Sequence, residues 1–213
     1  MAWQRDPEQD GPTLTPLLDR RFSSRVYDPE REISDRELTT ILQAARWAPS
    51  AGNSQPWAFL VGRRGDATHA AFVDLLSRGN SFWAPRAGAL LISLHRIAAD
   101  DSPDGMALPY SDYAAYDLGQ AAAHLTVQAQ ALDLHVHQFA GFDHQRAAEV
   151  FGVPDHWRVT TGIAIGALAA VETIEQAEPS LAVRERQHRR RNPLSRFVFE
   201  KTFGTPADWL DQS

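Results

Sequence analysis

Four strand-like stretches are interleaved with helix-patterned segments, and that interleaving limits the chain to a layered fold of sheet and helices. The stretches are WAFLV (57–61), ALLISL (89–94), HVHQF (135–139) and VTTGIAIGAL (159–168). The first two read as buried core strands, and the glycines of the last allow close approach of backbone or ligand. Between them, Ser34 and Glu37 form a capping box, with Ile33 placed to staple onto Leu38. The helix they open runs through Ile41, Leu42 and Ala45 and stops at Pro49. Asp66 caps a helix over 66–78 that carries Phe72, Leu75 and Leu76 on one face. A long helix bears Tyr113, Leu118, Ala121, Ala122, Leu125, Ala129 and Leu132; its alanines imply close packing in a core or across a subunit interface. Asp143 caps a further helix that ends near Gly152. Leu14, Leu17, Leu18 and Arg21 follow helical spacing, so a short first helix is expected there. The irregular order of helices and strands favours an α+β or mixed α/β sandwich.

A length of 213 residues suits one domain, and 43% hydrophobic with 23% charged residues is ordinary for a globular chain. We find no repeat and no linker, so residues 13–213 read as a single domain behind a flexible N-terminus (1–12). The formal charge of -6 argues against a general nucleic-acid binder. With no cysteine, disulfides, thiolate metal sites and cysteine nucleophiles are excluded. No apolar run approaches a membrane span, and the polar, acidic start is unlike a signal peptide. A cytoplasmic protein without membrane or nucleic-acid partners is expected. Residues 99–111 are rich in turn formers and read as a surface loop or lid.

Three stretches could carry chemistry. In RFSSRVYDP (21–29), two arginines flank a Ser-Ser pair, which suits a surface turn or a phosphate grip. In RWAPSAGNSQPW (46–57), Asn53 and Gln55 follow small residues; this is either a helix-to-strand connector or a loop whose amides meet a planar, heteroatom-rich ring. In RERQHRRRNPL (184–194), Arg189 and Arg191 lie two apart before Pro193, either as a solvated basic turn or projecting together at a phosphate. His135 and His137 share a strand face, with His144 following, but without a carboxylate at fixed spacing no metal site is expected. No Walker loop or dinucleotide fingerprint occurs.

Taken together, Arg21-Phe22-Ser23-Ser24-Arg25 and Ala48-Pro49-Ser50-Ala51-Gly52-Asn53-Ser54-Gln55-Pro56-Trp57 resemble the FMN-dependent nitroreductase superfamily. The resemblance extends to Asp117-Leu118-Gly119, Ala140-Gly141-Phe142 and Arg189-x-Arg191-x-Pro193, in the family's order. It implies a three-layer sandwich with a mixed central sheet, in an intertwined homodimer with tightly bound FMN at the interface. Arg21 and Ser23 would hold the phosphate and ribityl end, and Arg189 and Arg191 would complete the clamp. Arg25 would reach the pyrimidine edge of the ring, favouring the reduced flavin. Pro49, Ser50, Ala51 and Asn53 would come from the partner subunit, Gln55 would also bind the cofactor, and an N–H of Ala140 or Gly141 would face flavin N5. NADH or NADPH would deliver hydride there transiently, for passage to a small aromatic or quinone-like acceptor such as a nitroarene. No side chain need act as catalytic acid or base. FVFEKTFGTPADW (197–209), otherwise an edge strand with alternating aromatics, would lie in an arm (194–213) that crosses onto the partner.

Some positions depart from the pattern. Phe22 stands where a basic or polar residue is frequent, and Asn80 falls at the flavin edge, but Trp83 replaces the lysine expected three residues later. Trp83 either lines the substrate side or packs in the core. Tyr110, Tyr113 and Tyr116 either line a pocket above the ring or anchor the loop. Alternatives on the same fold are dehydrogenation, dehalogenation, flavin destruction or flavin storage, and a nucleic-acid module built on residues 184–196 is the outlying one.

Overall fold

Strand β2 (Ala89–Arg96) is buried along its whole length, and the fold is layered around it. Strands β1 (Trp57–Arg63) and β4 (Trp157–Gly166) flank β2, and β3 (His135–Phe139) pairs outside β4, in the order β1-β2-β4-β3. The computed structural model describes residues 14–99, 111–170, 172, 176, 179–185 and 189–212. Among the described residues every strand pair is antiparallel, which corrects the expectation of a mixed sheet. WAFLV is likewise not a core strand: as the edge strand β1 its first five residues are half-buried, because only one neighbour covers it.

Alternation along β2 divides two cores. Ala89 and Leu91 join Ile41, Leu125, Ile163 and Ile165 on one face, beneath helices α2 (Asp35–Arg46) and α4 (Ala114–Ala131). Leu90, Ile92 and Leu94 face the other way, into Phe72, Leu75, Trp83 and Ala147 of a layer that contains α3 (Ala67–Asp74) and α5 (His144–Val150). Each buried aliphatic side chain contributes about 1.5–3 kcal/mol, so the double-sided core fixes the register.

Local chemistry sets the helix starts. Ser34 accepts the Glu37 N–H while the Glu37 carboxylate accepts the Ser34 N–H, a complete capping box. Asp66 caps α3 through the His69 N–H, and Asp143 caps α5 through the Arg146 N–H. Helix α3 stops at Asp74, short of the expected residue 78; Leu76 leaves it to bridge Phe142. The first helix, α1, is the single turn Pro16–Asp19, and α6 spans Pro179–Glu185.

The C-terminal segment differs most from expectation. FVFEKTFG is not a strand: Phe199 makes one bridge to Pro206, and Lys201 (φ 66°) and Gly204 (φ 93°) reverse the chain between them. The aromatics therefore do not alternate; Phe199 packs on Phe203 at 4.8 Å across the turn. No helix among the described residues is long and apolar enough to cross a membrane.

Candidate functional site

Strand β3 leaves one edge of the sheet open, and the RFSSR segment runs alongside it. His137 Nδ1 donates to the Ser24 carbonyl at 2.9 Å, and the Phe22 ring packs on His135 with centroids 5.0 Å apart. Beneath the segment, His137 stacks on Trp83 at 4.4 Å. Burial holds both imidazoles well below their usual basicity, at about 4, with Arg21 adding repulsion at each. They are neutral at pH 7, and the bond to Ser24 places the proton of His137 on Nδ1.

Three guanidinium groups gather at the start of the segment. Arg189 reaches back to donate to the Arg21 carbonyl at 2.7 Å and to that of Asp19. Burial lowers the basicity of Arg21, and the nearby charges of Arg191 and Arg189 lower it further. The Ser23 hydroxyl lies 3.4 Å from Arg21 Nη1 and is exposed. Like charges brought this close cost energy unless an anion lies among them. A phosphate monoester, with about two negative charges and three strong acceptor oxygens, matches this donor set.

The segment is tied down by a residue that sequence reasoning missed. Glu185, at the end of α6, accepts the Arg25 N–H at 2.6 Å and the Ser24 hydroxyl at 3.1 Å. Its carboxylate is 4% exposed, and burial raises its pKa, partly offset by those two bonds and by Arg25. Glu185 stands 160 residues from Arg25, and nothing local to it signals the contact.

Ala140 and Gly141 follow at the far end of β3, about 15 Å along an extended chain, with Ala140 exposed. Asn80 Nδ2 donates to the Gly141 carbonyl at 2.9 Å, and Asn80 Oδ1 accepts from Trp83 Nε1 at 3.1 Å. Both ends of the Asn80 amide are thus engaged within the protein. A Cβ on residue 141 would lie 2.6 Å from Asn80 Nδ2 and from Ser77 Oγ, so a larger residue there would displace those two side chains.

Two expected site residues point elsewhere. Trp83 is 1% exposed, packed between His137 and Phe139, so it forms core and not a pocket wall. The Phe22 side chain is buried against His135. Tyr113, by contrast, is exposed at the start of α4; Tyr110 lies outside the described residues.

The loop after α2 carries three positive-φ residues within four positions among the described residues. Gly52, Asn53 and Gln55 all have positive φ (57°, 55° and 46°), and two of them carry side chains, which cost about 1 kcal/mol or more each in that region. It is held locally: Ser50 Oγ accepts the Gln55 N–H at 3.0 Å, and the buried Asp117 carboxylate accepts the Ala51 N–H at 3.0 Å. Pro49, Asn53 and Gln55 are exposed and Ser50 and Ala51 half-exposed, with Trp47 beside them at 80%.

Comparisons with known proteins agree with this architecture. The family model "Nitroreductase family" matches residues 18–80, which contain RFSSR, the strained loop and Asn80. An uncharacterized 15.4 kDa protein of Mycolicibacterium smegmatis is 37% identical over 156 residues, 70% of this chain and 98% of that one. The major NAD(P)H-flavin oxidoreductase of Aliivibrio fischeri is 43% identical over 44 residues, 21% of this chain and 20% of that one. A crystal structure described as an oxidoreductase containing FMN superposes with a TM-score of 0.82 at 33% identity, over 92% of this chain and 96% of the other. The chain belongs to the Nitroreductase family.

Proposed function

We propose that the chain is an FMN-dependent oxidoreductase that takes electrons from NADH or NADPH and passes them to an electron-poor acceptor such as a nitroarene or a quinone. The observation that carries this reading is the convergence of Arg21, Arg189 and Arg191 beside Ser23, a donor set fitted to a phosphate monoester. Relatives described as FMN-containing and as NAD(P)H-flavin oxidoreductases supply the rest of the molecule that carries the phosphate. When bound, FMN supplies a ring that accepts and returns a hydride equivalent.

The chain's own residues bind and orient. Arg21, Ser23, Arg189 and Arg191 hold the phosphate end, and Arg25 stands toward the pyrimidine edge. Ala140 and Gly141, braced by Asn80, face the ring at the far end of β3. Pro49, Ser50, Ala51, Asn53 and Gln55 reach the ring of a second subunit in a homodimer, and the arm from about residue 194 crosses onto that subunit. Exposed apolar side chains support such a partner: Trp47, Phe82, Phe203 and Trp209 are 80%, 60%, 94% and 57% exposed. Tyr113, exposed at the start of α4, stacks on flat acceptors. Residues 13–213 act as one domain.

The test is an absorbance spectrum of the purified protein, recorded before and after anaerobic NADPH and then NADH. Flavin bands that bleach with either donor support the reading and choose the donor. Bands that never bleach reduce the protein to a flavin binder, and a colourless protein that refuses added FMN overturns the proposal.

A further inference from the structure

The proposed phosphate clamp is assembled from two segments far apart in sequence, residues 21–25 and 189–191. Neither lies in a helix or a named strand. Arg189 ties the second segment to the first through the Arg21 carbonyl, and Glu185, from the helix between them in sequence, ties down the middle of the first. Glu185 closes α6, whose Leu181 is anchored in the core at 6% exposure, and its carboxylate reaches the middle of RFSSR. Oε1 receives the Arg25 N–H at 2.6 Å and Oε2 the Ser24 hydroxyl at 3.1 Å. Four residues later in the chain, Arg189 donates to the Arg21 carbonyl.

We infer that Glu185 is a positioning residue for the flavin phosphate, a latch that holds the Ser24 side chain inward and the Arg25 backbone N–H in place so that Arg21 and Ser23 on one segment meet Arg189 and Arg191 on the other. This rests on the FMN reading above. Ser24 is fully buried and its neighbours Ser23 and Arg25 are not, so the bond to Ser24 sets which side chains of the motif face out. A carboxylate is suited to the task for two reasons. It accepts two bonds at once in a fixed geometry, and its negative charge offsets part of the repulsion among the clamp's cations. It does not touch the ligand in this arrangement and is no catalytic residue.

The latch acts on the phosphate end alone, so its loss separates two flavins that differ only in phosphate. In E185A, FMN affinity should fall on the order of 30-fold, the effect of removing charge-assisted bonds. Riboflavin affinity should stay within about threefold of wild type, since the phosphate is absent from it. E185Q should keep FMN binding within about fivefold, because the carboxamide oxygen still accepts the Arg25 N–H and its nitrogen can donate to Ser24 Oγ. Both constants are read from quenching of flavin fluorescence on titration with protein. If E185A does not fold, S24A carries the same comparison: it removes the Ser24 bond to Glu185, together with the local bonds to Val26, and leaves the Arg25 N–H bond. FMN loss without riboflavin loss supports the latch. Equal loss of both, or none, overturns it. A wild-type protein that binds FMN and riboflavin equally overturns the phosphate role while the flavin reading stands; one that binds neither overturns both.

Discussion

The two histidines under the RFSSR segment predict a specific failure in acid. His135 and His137 are 8% exposed each, and burial lowers both from 6.5 to about 4. The folded pKa lies below the unfolded one, so the unfolded chain binds the extra protons throughout that window. Their contribution to stability is therefore complete above about pH 6.5 and is lost as the pH falls toward 4. A shift of that size corresponds to about 3 kcal/mol per ring over the full window, and to about 2 kcal/mol per ring between about pH 7 and pH 5. For the pair that is about 4 kcal/mol by about pH 5, a large part of the 5–15 kcal/mol typical of a folded domain. His69 and His95, also lowered by burial, add in the same direction, whereas the raised Glu185 opposes them. The variant that isolates the effect is His135→Phe. It keeps a ring against Phe22 and loses no hydrogen bond at Nδ1, which has no partner among the described residues. Urea unfolding of flavin-free protein at fixed concentration, followed by tryptophan fluorescence from about pH 7 to about pH 5, should show the variant losing about 2 kcal/mol less than wild type. The comparison is between slopes, so a constant packing offset does not affect it. Parallel curves for variant and wild type would refute the assignment of a buried neutral His135.

Three further outcomes are expected. Arg21→Ala should weaken FMN by about 10- to 100-fold in a fluorescence titration, the value of a charge-assisted phosphate contact, and unchanged affinity would show the clamp to be misplaced. Gly62→Ala should destabilise by at least about 1–3 kcal/mol, lowering the thermal midpoint by several degrees; its Cβ would lie 2.5 Å from the backbone nitrogen of His69, which α3 cannot yield. Ser34→Ala should cost about 1 kcal/mol in urea unfolding by opening the capping box. With it should go part of the acid sensitivity of Glu37, whose carboxyl is held at about 2 by the Ser34 hydroxyl first and then by the residue-34 N–H and Arg31, which the variant keeps, so the difference between variant and wild type should shrink as the pH falls below about 4.5.

What the amino-acid sequence by itself determined was whatever acts over a few residues. The caps at Ser34, Asp66 and Asp143 stand where their side chains predict, because each bond closes within three residues and needs no tertiary partner. The RFSSR and APSAGN motifs were legible for the same reason: short strings of residues carry the family's pattern, and the match over 18–80 falls on them. Tertiary structure decided where residues distant in the chain meet. Trp83 fits either a pocket or a core as a residue type, and only the stacking of His137 and Phe139 around it makes it core. WAFLV has the apolarity of a central strand, yet the sheet order leaves it on an edge with one neighbour. The C-terminal aromatics alternate in sequence but not in space, since the positive φ values at Lys201 and Gly204 fold them back on themselves. Glu185 is the clearest case. A glutamate among arginines reads as a solvated charge, and its partners Ser24 and Arg25 lie about 160 residues away. Bringing them together carries a loop-closure cost that only the burial of the whole sheet and its two helical layers offsets.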